Sequence, residues 1–161
     1  MFRGVSTLNL DAKGRMTMPT RYRERLQAQC NGQLILTIDP EERCLWLYPL
    51  PVWEEIERTL DALPGLDKAS RRIQRLLIGH ATECDLDGQG RLLPPPPLRE
   101  FAHIDKQVVL IGQGKKFEVW DEQTWNVRRD NWLVEEAGEY QGLSEAMKKL
   151  SLYVKDGKTD S

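Results

Sequence analysis

Long hydrophobic runs are missing from this chain of 161 residues. No apolar stretch approaches the ~20 residues that a membrane-spanning helix needs. Histidine is scarce as well. His80 and His103 are the only two, and neither has metal-ligand spacing to a partner. The three cysteines, Cys30, Cys44 and Cys84, are odd in number and far apart. They read as small buried hydrophobes, neither a disulfide framework nor a zinc site. No nucleophile elbow and no Walker pattern occurs, so an enzyme has little support. Gly112-Gln113-Gly114-Lys115 lacks the spacing of a phosphate loop and reads as a hairpin turn. Met1-Phe2-Arg3-Gly4 does not read as the start of a signal peptide, so a cytoplasmic protein is expected. No cofactor and no metal site is indicated.

An excess of positive charge is missing too, since the net charge is −2. Its distribution is uneven. Residues 1–25 hold Arg3, Lys13, Arg15, Arg21, Arg23 and Arg25 against Asp11 and Glu24, a balance of +4 that leaves −6 for the rest. A basic end on an acidic body can still steer towards phosphate, because potential is local and screened over roughly 8–10 Å. A solvated basic helix face accounts for the same composition.

What is present is a repeat. Leu10-Asp11-Ala12-Lys13-Gly14-Arg15 returns 76 residues later as Leu86-Asp87-Gly88-Gln89-Gly90-Arg91, with Pro19 answered by Pro95 and Arg23 by Arg99. Agreement this long at one offset marks a duplicated unit. In each loop the aspartate suits the first position of a type I turn and the glycine the fourth. The arginine is not needed by the turn. Its planar fork suits a carboxylate, a phosphate or a guanine edge. Two readings stay open: an Asp–Arg ion pair bracing the loop, and a contact with nucleic acid. Lys13 is replaced by Gln89 and Arg21 by Pro97, and Glu83, Asp85 and Glu100 surround the second loop. If one copy meets a polyanion, it is the first.

Residues 2–10 read as a strand with Arg15–Met18 as its partner, followed by a helix over 21–29. Strands follow at 33–38 and 43–48, then a helix carrying Val52, Trp53, Ile56 and Leu60. A helix over 67–79 connects the units. The second unit repeats the order, with strands at 80–86 and 91–93. The prolines 94–97 stiffen the start of a short helix at 98–102. Strands at 107–111 and 117–120 and a helix containing Trp125, capped by Asp121, complete it. A last helix is expected over 143–150 and a frayed tail over 155–161. Trp46, Trp53, Trp120, Trp125 and Trp132 recur on these elements, which favours packing over base stacking. The fold class is α+β: two duplicated hairpin units in one barrel-like core, with helices outside. The boundaries are 1–54 for the first unit, 55–79 for the connecting helical segment, 80–126 for the second unit and 127–161 for a C-terminal helical region.

Met1-Phe2-Arg3-Gly4, the Leu10–Arg15 motif, Pro19, Tyr22-Arg23 and the second motif Asp87–Arg91 together resemble the MraZ family of bacterial transcriptional regulators. The resemblance covers roughly residues 1–140. It implies two AbrB-like swapped-hairpin units in one chain and a closed-ring homo-oligomer in the cytoplasm, associated with the nucleoid. It implies sequence-specific binding of double-stranded DNA at promoter direct repeats, near division and cell-wall genes including its own operon. Arg15 maps onto the DNA-contacting arginine and Lys13 onto its basic neighbour, with Arg3 and Gly14 joining them as candidate DNA-binding residues. Asp11, Asp87 and Arg91 map onto the motif's structural pairing. Gln89 and the proline run depart from the pattern of a DNA-contacting loop. The competing expectation is an AbrB-fold, antitoxin-like protein-interaction module without an operator of its own.

Overall fold

The first strand finds its partner more than a hundred residues downstream. In a computed structural model of the protein, which describes residues 1–137 and 145–150, β1 (Phe2–Asn9) pairs along its whole length with β7 (Gln107–Gly114), from Phe2↔Gly114 to Asn9↔Gln107. Between them come β2 (Met16–Thr17), α1 (Thr20–Cys30), β3 (Leu34–Ile38), β4 (Leu45–Pro49), α2 (Leu50–Asp61) and α3 (Lys68–His80). β5 (Thr82–Glu83), β6 (Arg91–Leu92) and α4 (Pro96–Phe101) follow, and β8 (Lys116–Asp121) and α5 (Glu122–Ala137) come after β7. Residues 145–150 are helical. The expected residues 143–144 and the tail at 155–161 lie outside the described residues.

The strands form an antiparallel sheet in the order β1-β7-β8-β4-β3-β5, with a separate ribbon of β2 and β6. Two expectations need correction. Residues 15–18 do not pair back on β1: Met16 opposes Leu92 and Thr17 opposes Arg91. The Asp11–Arg15 loop does close, through Asp11 N–H to Arg15 O at 2.9 Å. The chain then diverges, because Met16 and Thr17 find their partners in the second unit's Leu92 and Arg91. The strand expected over 80–86 is also short. His80 completes α3, where its Nδ1 lies 2.8 Å from Leu76 O, and only Thr82–Glu83 pairs with β3.

Met16 and Leu92 are each other's counterparts at the repeat offset, so a local two-fold axis passes between them. The same symmetry relates the crossed strands. Leu10 N–H donates to Lys106 O at 2.8 Å, and Leu86 N–H donates to Gly32 O at 2.9 Å. Each unit's first strand therefore lies on the other unit's central strand.

β3 is buried along its whole length because both of its faces are covered. Leu34, Leu36 and Ile38 join Met16, Met18, Tyr22, Leu26, Leu92, Leu98 and Phe117 in the main core. Ile35 faces Tyr48, Trp53 and Leu77 under α2 and α3, and the buried Thr37 hydroxyl donates to Leu77 O at 2.7 Å. Burying each large side chain contributes about 1.5–3 kcal/mol. Both loops, α1 and α4 belong to the main-core side of β3, while α2 and α3 cover the other. This Met1–Glu122 unit is one of two compact units in the chain. In the other, Gln123–Ser161, the Trp125 and Trp132 rings meet edge to face at 6.2 Å.

Candidate nucleic-acid interface

The two repeated loops have one geometry. Asp11 Oδ1 accepts the backbone N–H groups of Lys13 and Arg15, both at 2.9 Å, and Oδ2 accepts Arg15 Nε at 2.7 Å. Asp87 does the same with Gln89, Arg91 and Arg91 Nε at 2.9, 2.9 and 2.8 Å. The fourth position is Gly14 at φ +86° and Gly90 at φ +76°, a region where a Cβ clashes with the following carbonyl. Backbone donation from Arg15 and Arg91, more than any other cause, holds the two carboxyls below their ordinary range. The ion-pair reading of the motif is therefore realised. It spends only Nε, and the terminal nitrogens of Arg15 have no hydrogen-bond partner among the described residues. A braced arginine with a free outer edge can still receive an acceptor.

The glycines have a second reason to be there. A Cβ on Gly14 would lie 2.2 Å from Arg99 Nη1, and one on Gly90 would lie 2.5 Å from Arg23 Nε. Arg23 of the first unit thus backs the second loop, and Arg99 of the second unit backs the first. Arg23 Nε donates to Met18 O at 2.7 Å, and Met18 N–H donates to Gly90 O at 2.8 Å. The repeat at offset 76 exposed the pairing of Arg23 with Arg99 as residues; that they cross over was not readable.

Around this shared frame the copies diverge. Lys13 is exposed at the tip of the first loop, where Gln89 is exposed in the second. Arg21 Nη2 donates to Ser6 Oγ at 2.7 Å, whereas its counterpart Pro97 has no cation to offer. Glu83 and Asp85 are exposed in the second unit, where the first has Thr7 and Asn9, whereas the exposed Glu100 is matched by the exposed Glu24; Asp85 Oδ1 accepts Leu34 N–H at 3.1 Å. A hollow of about 220 Å³ beside the second loop is lined by Arg23, Glu24, Gln27 and Asp87 among others. Asp11, Lys13, Gly14 and Arg15 stand together. Arg3 does not join them: it lies near the far end of β1, roughly 20 Å from Asn9 at ~3.3 Å per residue. Its carbonyl accepts the Tyr22 hydroxyl.

Among the described residues, Asp39, Cys44 and Glu118 bring potential metal-ligating atoms within 4.8 Å of one another. Asp39 is already engaged, accepting Glu41 and Glu42 N–H at 2.7 and 3.0 Å and Trp46 Nε1–H at 3.0 Å. Burial pushes the Cys44 thiol up, away from the thiolate a metal would need. The group braces the turn between β3 and β4. Cys84, likewise buried, is pushed up to about 12. No described helix is long and apolar enough to cross a membrane.

Comparison with known proteins fits the doubled loop. The family described as "MraZ protein, putative antitoxin-like" matches residues 1–76 and 77–132. The chain belongs to the MraZ family. The junction between the two MraZ segments falls inside α3. A protein of Thioalkalivibrio sulfidiphilus named transcriptional regulator MraZ is 61% identical over 136 residues, 84% of this chain and 90% of the relative. The relative of the same name from Halorhodospira halophila is 57% identical over 152 residues, 94% of this chain and all of the relative. That from Coxiella burnetii is 52% identical over the same shares.

Proposed function

We propose that this MraZ-family protein regulates transcription by binding promoter DNA in a sequence-specific way, and that it is not an enzyme. One observation carries the reading: a single loop geometry occurs twice, and only the first copy carries a cation at its exposed tip, Lys13 where the second has Gln89. In this reading Arg15 reads base edges and Lys13 contacts phosphate, while Gly14, buried against Arg99, shapes the turn that presents them. Asp11 orients the arginine, while Asp87 and Arg91 brace the second loop. Arg3 adds positive charge away from the loop. The exchanged strands are those of two AbrB-like swapped-hairpin units closing one barrel, at residues 1–54 and 80–126. Residues 55–79 connect them, and the helical residues 127–137 and 145–150 belong to a C-terminal region.

One basic loop on an acidic chain offers few phosphate contacts, so a lone subunit binds weakly at physiological salt. Two unlike units in one chain favour head-to-tail contacts, and these close into a ring whose Arg15 loops repeat at a fixed spacing. Such a ring binds direct repeats about one helical turn apart, each weak alone. Promoters of division and cell-wall genes, its own operon among them, are the expected targets. The site of action is the cytoplasm, at the nucleoid.

The test is binding to the DNA upstream of its own coding region and to a shuffled duplex, with native mass measured alongside. Specific binding by an oligomer that weakens when one repeat is moved by half a turn is expected. Equal affinity for both duplexes would sink the operator reading and favour the antitoxin-like interaction module. Full affinity from a verified monomer, or indifference to the half-turn shift, would sink the ring.

A further inference from the structure

Arg21 and Arg25 stand one helical turn apart on α1, and each guanidinium lies over an aromatic ring. The distances are 4.7 Å from Arg21 Cζ to the Tyr22 ring centre and 4.6 Å from Arg25 Cζ to that of Phe2. The two rings meet edge to face at 6.0 Å and are buried, while both arginines are exposed. Arg21 is held further by its bond to Ser6 Oγ. Gly4 clears the way, since a Cβ there would lie 3.0 Å from Arg21 Nη2. Stacking fixes a guanidinium through its face and leaves the in-plane N–H donors available. Neither arginine has an ion-pair partner among the described residues. Like charges at this spacing on a helix repel. Two pre-positioned, unneutralised forks spaced along one helix suit a run of anions.

Their placement names the anion. β1 leads away from the Asp11–Arg15 loop, and Arg21 sits beside Ser6 and Gly4, Arg25 beside Phe2. Measured from Asn9, Ser6 and Gly4 lie roughly 10 and 17 Å, and Phe2 roughly 23 Å, along the strand at ~3.3 Å per residue. A duplex carries one phosphate per ~3.4 Å of axis on each strand, so a backbone running along β1 would bring phosphates past both cations. The second unit has Pro97 and Phe101 at the matching positions.

We propose that Arg21 and Arg25 form a phosphate track along α1, which takes the phosphodiester backbone of the duplex beside the bases met by the Arg15 loop. The inference rests on the DNA-binding reading above and adds a contact that carries affinity without sequence preference.

The experiment measures binding by fluorescence anisotropy at four salt concentrations. The probes are the upstream duplex and a shuffled duplex of equal length. The proteins are the wild type, Arg21→Gln/Arg25→Gln, Arg21→Lys/Arg25→Lys and a control, Arg71→Gln/Arg72→Gln, which removes the same charge from α3 on the other side of β3. The glutamine pair should lower the slope of log K against log salt by about 1.8 per bound chain, from two phosphates at ~0.9 each. The loss should be equal on both duplexes, and the lysine pair should keep the wild-type slope. An unchanged slope in the glutamine pair overturns the track. So does an equal fall in the lysine pair, which would mean a structural loss, or in the α3 control, which would mean a net-charge effect. A wild type without sequence preference defeats the operator reading alone, because the track is still read on the shuffled duplex. A wild type that binds neither duplex defeats both.

Discussion

The loops at Asp11–Arg15 and Asp87–Arg91 agree to within 0.1 Å in their three side-chain hydrogen bonds, yet their surroundings differ in charge. Backbone geometry is set by aspartate, glycine and the arginine Nε, and both copies keep all three. What the loop can meet is set by residues the turn does not constrain: Lys13 against Gln89, and Arg21 against Pro97. Met18 against Pro94 is a third difference. Met18 N–H donates to Gly90 O, and Pro94 has no N–H to return the bond to Gly14. Symmetry of shape and asymmetry of charge thus sit in different residues and can be altered separately.

The sharpest way to break the comparison is to remove each arginine in turn. Arg15→Ala should weaken operator binding by about 1–3 kcal/mol per contacting copy. Arg91→Ala should instead lower stability slightly, as expected of an exposed pair, with little change in intrinsic DNA contact. Paired thermal melts and titrations decide. A stable, correctly assembled Arg91→Ala protein that cannot bind DNA would make the second loop an interface too. The glycines come next. Gly14→Ala and Gly90→Ala should each cost about 1–2 kcal/mol of stability from the positive φ alone, before the Arg99 or Arg23 guanidinium is displaced. Denaturant midpoints that fall for one variant and not the other would show that the arginine backing is one-sided.

Exchanging the tips has a smaller effect. Lys13→Gln should reduce the salt slope by about 0.9 per bound chain, as one lost phosphate contact. Gln89→Lys should not raise it, and a gain there would mean that the second loop also reaches DNA. Smallest of all is the dependence on pH. Both aspartates have native values below the ordinary 3.8. Their contribution to stability is fully present above the unfolded value and is lost as pH falls through the native one. Loop stability should therefore be flat from pH 8 to 5 and decline only below about 3.8, together in both loops. An earlier loss in one loop, followed by amide exchange, would separate them.

Much of this frame was legible in the chain because each signal was local. Asp and Gly at fixed positions gave the turns. Asp67 caps α3, accepting Ser70 N–H at 3.2 Å, and Pro96 opens α4. The hydrophobic run at 34–38 gave a buried strand. The partner of β1 was not legible, since alternation within residues 2–10 is satisfied equally by a hairpin and by a distant strand. The repeat places His80 in a strand by analogy with residues 4–10, whereas Leu76 and Leu77 continue the helix to its end. The arginine in each motif was legible as unexplained. The rings beneath Arg21 and Arg25 were not, because Phe2 and Tyr22 meet only after β1 has crossed to β7.

That crossing sets a schedule for biosynthesis. Phe2 opposes Gly114 and Asn9 opposes Gln107, so β1 leaves the ribosome long before its partner exists. At about 5–20 residues per second, the wait is roughly 5–20 s. During it the nascent chain displays an unpaired strand edge and Phe2, features that invite association with other nascent chains. A ribosome-arrested chain ending near residue 100 should remain protease-sensitive at β1, and one extended past β8 and clear of the exit tunnel should become resistant in a single step. The exchanged strand that joins the halves also postpones the completed fold until both have been made.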